Sequence, residues 1–210
     1  RPSEQRRRGA TTPAPVFTSD HGEQMGDHYL LGKMGYFDQS YHIPMIIRDP
    51  DANQSRGAII SDFTENIDIM PTLLNWLDLP VPNQCDGKSL LDTVQSGSTP
   101  AHWRSEVHWE YDFRSVKNGE PMEQALGLNL NQCSLNVIRD HDYKYVHFTN
   151  LPPLLFDLKA DPEELNNLAN NPEYAQVMLQ YAQKMISWRM ENDERTLTHL
   201  ALEEEGVLQR

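Results

Sequence analysis

The chain has 210 residues, 38% of them hydrophobic and 9% aromatic, which is the composition of a folded globular protein and excludes wholesale disorder. Its formal charge is −13, and residues 1–16 hold four Arg against one Glu, so the remainder carries 14 basic and 30 acidic side chains, a net of −16. Such a surface repels nucleic acid and anionic lipid, no apolar run approaches the ~20 residues of a membrane span, and the N-terminus lacks a signal peptide's apolar core; a cytoplasmic chain with neither nucleic-acid nor membrane partners is expected.

Residues 1–16, RPSEQRRRGATTPAPV, show no periodicity and read as a disordered or non-native lead-in. From Val16 the texture changes. The β-favouring stub VFTS runs into a polar loop, DHGEQMGDHYLLGK, and the compact apolar run IPMIIR (43–48) suits a buried strand. After the turn-rich DPDANQSRG, the segment NIDIMPTLLNWLDLP predicts a short helix. Asp68 is its expected N-cap, Pro71 lies in the tolerant first turn, and Leu73, Leu74 and Leu77 form the expected apolar face. Pro80 and Pro82 stop it.

The second half differs in kind. Four strand-like runs, 106–113, 133–139, 143–148 and 154–158, follow one another, the middle pair joined by the hairpin-length turn DHD. Residues from Asn171 then predict a long amphipathic helix, with Pro172 in its first turn and Tyr174, Val177, Tyr181, Met185 and Trp188 at helical spacing. Four antiparallel strands under one helix make an α+β layer with one covered face. The tail RTLTHLALEEEGVLQR is weakly amphipathic and suited to docking on a neighbouring subunit. The expected organisation is thus a lead-in (1–16), an α/β portion (17–100), an antiparallel sheet plus helix (101–192) and a tail (193–210). About two strands in the α/β portion are too few to enclose a core, so further strands are expected upstream.

The polar loop carries the chemistry. Asp20 and His21 are neighbours, and neighbours in a regular strand face opposite sides. Both aim at one point only where the strand has ended and the backbone turns, a turn that Gly22 permits. Ligands collect at the carboxyl ends of strands in open α/β sheets. A carboxylate oxygen with an imidazole nitrogen suits Mn²⁺ or Zn²⁺ best, and Ca²⁺ or Mg²⁺ less naturally. Two donors do not complete a shell. Glu23, Asp27 and His28 are read as residues that fix the loop or orient the ligands rather than as acid–base groups. Cys85 and Cys133 stand in no CxxC pair and near no His at zinc spacing, so two ordinary thiols in a reducing compartment are expected, one disulfide being the alternative.

Strand, then SDHG, then an acidic glycine-rich loop, then GK and an apolar strand, is a pattern with a known relative. TSDHGEQMGDHYLLGK, GYFDQSYHIPMIIRDP, IDIMPTLLNWL with CDGKSLL, and LLFDLKADPEELNNLANNPEY stand in the right order, and the chain from 17 to about 200 resembles the sulfatase branch of the alkaline phosphatase superfamily, above all its phosphonate monoester hydrolases and arylsulfatases. The resemblance implies the C-terminal part of an α/β alkaline-phosphatase-like fold with a small four-stranded antiparallel sheet and long helix as second subdomain. It implies hydrolysis of a small anionic ester (sulfate ester, phosphonate monoester or phosphodiester) by a formylglycine made in a C-x-P-x-R motif, with one divalent cation (Mn²⁺, Zn²⁺ or Ca²⁺). Asp20 and His21 match that family's late pair of metal ligands, and Lys33 matches the lysine that contacts the transferred group. A homo-oligomer, a tetramer, is also implied. No C-x-P-x-R occurs in the chain, nor do the early ligand aspartates; the resemblance therefore predicts a C-terminal fragment, inactive alone, whose nucleophile lies upstream. Two alternatives stand beside it: a two-zinc phosphodiesterase or mutase of the same superfamily with a Ser or Thr nucleophile, and a non-catalytic remnant that only oligomerises.

Overall fold

The computed structural model describes residues 15–52, 54–114, 121–192, 200–204 and 206–209. In chain order these form β1 (Val16–Thr18), β2 (Gln24–Met25), β3 (Leu31–Gly32), α1 (Asp38–Tyr41), β4 (Met45–Ile47), α2 (Ile69–Trp76), α3 (Leu91–Ser96), β5 (Val107–Asp112), α4 (Pro121–Leu126), β6 (Ser134–Arg139), β7 (Tyr143–Phe148), β8 (Leu154–Asp157), α5 (Ala175–Glu191), β9 (Leu200–Glu203) and β10 (Gly206–Gln209). The described residues fall into two compact units, one of Val16–Ile46 with Arg104–Met185, the other of Ile47–Trp103 with the described residues from Ile186 onward. Apart from Pro15 and Val16, the expected lead-in lies outside the described residues.

The first unit is built on the antiparallel sheet β5-β6-β7-β8. All four strands lie where their apolar alternation puts them, and the register sets Val137 opposite Trp109 and Val146, and Leu155 opposite Tyr145. Period two then sorts the side chains. Ile138, Tyr145 and Leu155 face α5, whose Tyr181 and Met185 complete a buried cluster with Tyr174 and Val177 at its rim. This is the helix face that the spacing predicts. The opposite face, carrying Leu135, Val137, Val146 and Phe156, is also covered, which corrects the expectation of a layer with one packed face. The cover is aromatic and comes from the loop after β3 and from α1: Tyr36 lies edge-on to Phe148 and against Phe156, and Tyr41 of α1 stacks on Trp109 with ring centroids 4.8 Å apart.

The outer edge of the sheet is managed as well. Leu155 turns its N–H and C=O away from β7, where an open edge would invite pairing with another chain. Asn167 Oδ1 accepts the Leu155 N–H at 3.0 Å and Leu168 N–H donates to the Leu155 carbonyl at 2.8 Å, so the NNL stretch of the sequence covers the edge.

The ribbon β1-β4 contains the expected buried strand only in part. Residues Met45–Ile47 form it, but Ile46 is 61% exposed, because among the described residues β4 is hydrogen-bonded to β1 alone and one face of the ribbon stays open.

In the second unit α2 starts directly after Asp68, its N-cap as the sequence places it, although the Asp68 side chain makes no capping hydrogen bond to α2. Residues Asn66–Asp68 form a 3₁₀ turn that leads into α2, and Asp68 sits at its third position. There its buried carboxylate accepts Glu65 N–H at 2.8 Å and Lys88 N–H at 2.7 Å. The second contact needs the chain at 87–88 to approach 67–68 closely, and a Cβ on Gly87 would stand 2.0 Å from the Ile67 carbonyl oxygen. The predicted leucine face is not the buried one. Pro71 and Thr72 are buried, Thr72 Oγ1 donating to the Asp68 carbonyl and accepting Leu90 N–H at 2.8 Å, whereas Leu77 is 68% exposed. Asp68→Ala is expected to lower stability by about 2–3 kcal/mol in urea unfolding, because it leaves two backbone donors without their acceptor.

The described part of the tail is an antiparallel pair, Leu200 opposite Gln209. Residues 193–199 of the tail lie outside the described residues. Both cysteines are free, Cys133 buried with its Sγ 3.3 Å from the Asn129 carbonyl, and burial pushes its thiol up. No helix among the described residues is long and apolar enough to cross a membrane.

Candidate metal and anion site

β1 ends at Thr18, and the backbone turns over Ser19, whose Oγ donates to the His21 carbonyl at 2.7 Å. This turn lets the two neighbouring side chains converge: Asp20 Oδ2 and His21 Nε2 are 3.6 Å apart. His21 Nδ1 lies 2.6 Å from the Gly22 carbonyl oxygen. A carbonyl only accepts, so Nδ1 carries the proton, and in the neutral ring Nε2 presents a bare lone pair toward the carboxylate. Two lone pairs aimed at one another repel unless a proton or a cation sits between them. Donors about 2.0–2.2 Å from one divalent ion can stand this far apart, and fixing the tautomer through the other ring nitrogen is how ligand histidines are held. The pair therefore fits a cation. The Asp20 side chain is 83% exposed, open to an incoming ion. Among the described residues no three His, Cys, Asp or Glu side chains gather into a set that could hold a metal, so the pair is two donors and not a full shell.

Gly22 is required by packing and not, as expected, by the turn, since its φ lies outside the left-handed region. Its N–H donates to the Ser40 carbonyl at 2.8 Å, and a Cβ there would stand 2.0 Å from the Gln39 carbonyl oxygen. The loop that carries the donor pair is thus laid against α1, main chain on main chain.

Downstream, β2 and β3 pair as a small hairpin with Met25 opposite Leu31. Glu23 Oε1 accepts Gly32 N–H at 2.7 Å, which fixes the backbone one residue before Lys33. Lys33 is exposed, and among the described residues its ammonium has no hydrogen-bond or ion-pair partner, leaving it available to an anion. The structure brings Asp20 and His21 together; Lys33 reaches neither. Glu23 does fix the loop. His28 does so too, stacked on Phe37 with centroids 3.6 Å apart, at a backbone φ of 52°.

A cluster the sequence did not reveal lies beneath α1. The ammonium of Lys144, fully buried, donates to Asp38 Oδ1 at 2.5 Å and to the Tyr36 carbonyl at 3.2 Å, and pairs with Glu164. Arg139 Nε reaches Asp38 Oδ2 at 3.1 Å, and Glu164 Oε2 accepts the Asp38 N–H at 3.2 Å. Burial alone would push the Asp38 carboxyl up, but Lys144 and Arg139 outweigh it and hold it below the ordinary range. Burial wins at Glu164, whose carboxyl stays raised despite Lys144. Strand parity was the available signal: in YKYVHF, Lys144 shares a face with Val146 and Phe148.

A mixed α/β arrangement with a four-stranded antiparallel sheet and a long helix after it is that of the sulfatase type of hydrolase. Residues 26–191 match the family described as N-sulphoglucosamine sulphohydrolase, C-terminal, and the chain belongs to that sulfatase family of the alkaline phosphatase superfamily. Among curated relatives, the multifunctional alkaline phosphatase superfamily protein PehA of Trinickia caryophylli is 51% identical over 93% of the chain and 38% of its own length. An arylsulfatase of Clostridium perfringens is 30% identical over 87% of the chain and 34% of its own. The crystal structure of the phosphonate monoester hydrolase of Agrobacterium radiobacter superposes with a TM-score of 0.86 at 46% identity, covering 94% of this chain and 39% of that one. The chain spans less than two-fifths of the length of each of these relatives.

Proposed function

We propose that this chain supplies part of the active centre of a metal-dependent hydrolase of sulfate esters, phosphonate monoesters or phosphodiesters. The observation that carries the proposal is the Asp20–His21 pair, with Nε2 freed for a cation by the Nδ1 contact to Gly22 and the carboxylate 3.6 Å away. Hydrolase names among the relatives support the reaction class. A divalent ion there supplies Lewis-acid polarisation of the ester oxygens and a template for the leaving and attacking groups. Asp20 gives the ion a charged oxygen donor, and His21 a neutral nitrogen held in one tautomer. Lys33, a compact charge on a flexible stem, offsets negative charge that develops on the transferred group. In a protein with a net charge of −13, that lysine and the ion are what make an anionic ester welcome. The remaining ligands and the nucleophile come from elsewhere, so this chain alone is expected to be inactive.

Calorimetric titration with Mn²⁺ tests the reading. The wild-type chain should take up one ion, Asp20→Ala and His21→Ala should lose at least about tenfold in affinity, and Lys33→Ala should bind the ion normally. Equal uptake by all four chains, or uptake by none, would sink the assignment.

A further inference from the structure

The donor pair is not held by its own loop alone. Its position is traceable, contact by contact, to the buried charges on the sheet. Lys144 and Glu164 grip Asp38, the first residue of α1, by both its carboxylate and its N–H. Two residues on, the Ser40 carbonyl receives the Gly22 N–H, and the Gln39 carbonyl lies where only a glycine fits. The carbonyl of that same Gly22 then orients the His21 ring through Nδ1. The links are main-chain contacts, the fully buried Lys144 and Glu164 side chains, the partly buried Asp38 carboxylate and the His21 ring. Its far end is anchored by Arg139 from β6 and Lys144 from β7, facing each other across the register.

We propose that Lys144, Asp38 and Glu164 are positioning residues for the Asp20–His21 donor pair, acting through α1 and the Ser40–Gly22 hydrogen bond. The inference rests on the metal reading for its purpose but not for its geometry. A burial-only role would make the cluster a matter of stability, with no specific effect at Gly22. A positioning role predicts that weakening it loosens Gly22 before it loosens the sheet.

The test is amide hydrogen exchange on the full chain, paired with Mn²⁺ titration. Asp38→Asn keeps the size but puts an amide donor where Arg139 and Lys144 need an acceptor. Gly22 N–H should then exchange about tenfold faster, with Mn²⁺ affinity reduced by a similar factor, while the amides between β6 and β7 keep their protection. Should that variant fail to fold, Glu164→Gln, which keeps the size and an acceptor for the Asp38 N–H but removes the carboxylate facing Lys144, carries the same comparison. Gly22 protection equal to wild type, or sheet protection lost in step with it, overturns the proposal. A wild type that takes up no Mn²⁺ overturns the metal reading alone, since Gly22 exchange still decides the positioning.

Discussion

Replacing Lys144 by methionine is expected to lower the unfolding free energy by about 3–5 kcal/mol, measured as a fall in the urea midpoint at unchanged slope. The stem volume is nearly kept, so the loss is electrostatic. The ammonium is wholly buried between Asp38 and Glu164 and lies over the Trp109 ring at 5.4 Å, and its removal leaves two carboxylates facing one guanidinium. Glu164 then relieves itself in the only way open to it, by taking up a proton. The sign follows. In the wild type, Asp38 titrates below its ordinary value, so its contribution is present above that value and fades as pH falls through the lower folded one. In the variant both carboxyls are raised. Their folded forms favour the proton, and the stability deficit is largest at neutral pH and shrinks on acidification. A deficit independent of pH would contradict the assignment of charge in the cluster.

Leu155→Ala is expected to cost about 2–5 kcal/mol, the range for removing a buried leucine from a packed site. The position within that range depends on how far the surroundings can collapse. Here they are tied on every side. Leu155 is fully buried against Ile138, Tyr145 and the α5 residues Tyr181 and Met185. Its strand is paired to β7 on one edge and pinned by Asn167 and Leu168 on the other, so β8 cannot drift inward to fill the space. The upper half of the range is expected. Leu155→Met, which conserves volume, should cost less than about 1.5 kcal/mol. Comparable losses for the two variants would mean that the cluster is plastic.

What could be read from the residues alone follows from the range of the forces involved. The strands β5–β8 and the helix α5 are written in local periods of two and 3.6, and their partners only confirm them. The Asp20–His21 pair was legible because its members are adjacent and a glycine follows. The face of α2 was not: Leu73 and Leu77 look like core, yet Pro71 and Thr72 are buried, because the Leu90 N–H meets the Thr72 hydroxyl from 18 residues away. The covered second face of the sheet was missed for a similar reason, since Tyr36 and Tyr41 stand far upstream of the strands they cover. The charge cluster was hidden most deeply. Lys144 and Asp38 are 106 positions apart, and nothing in FDQS or DPEE announces that one ammonium will join them.

The adjacency of Asp20 and His21 has a thermodynamic corollary. A cross-link restrains an unfolded chain according to the logarithm of the loop it closes, and a clip between neighbours closes almost none. Closing so short a loop adds nothing by itself, so an ion seated on this dipeptide would raise the melting temperature only by as much as the folded bend binds it more tightly than the unfolded chain does. On the proposed reading such an ion would serve as a reagent rather than a rivet, read most directly from its own heat of binding.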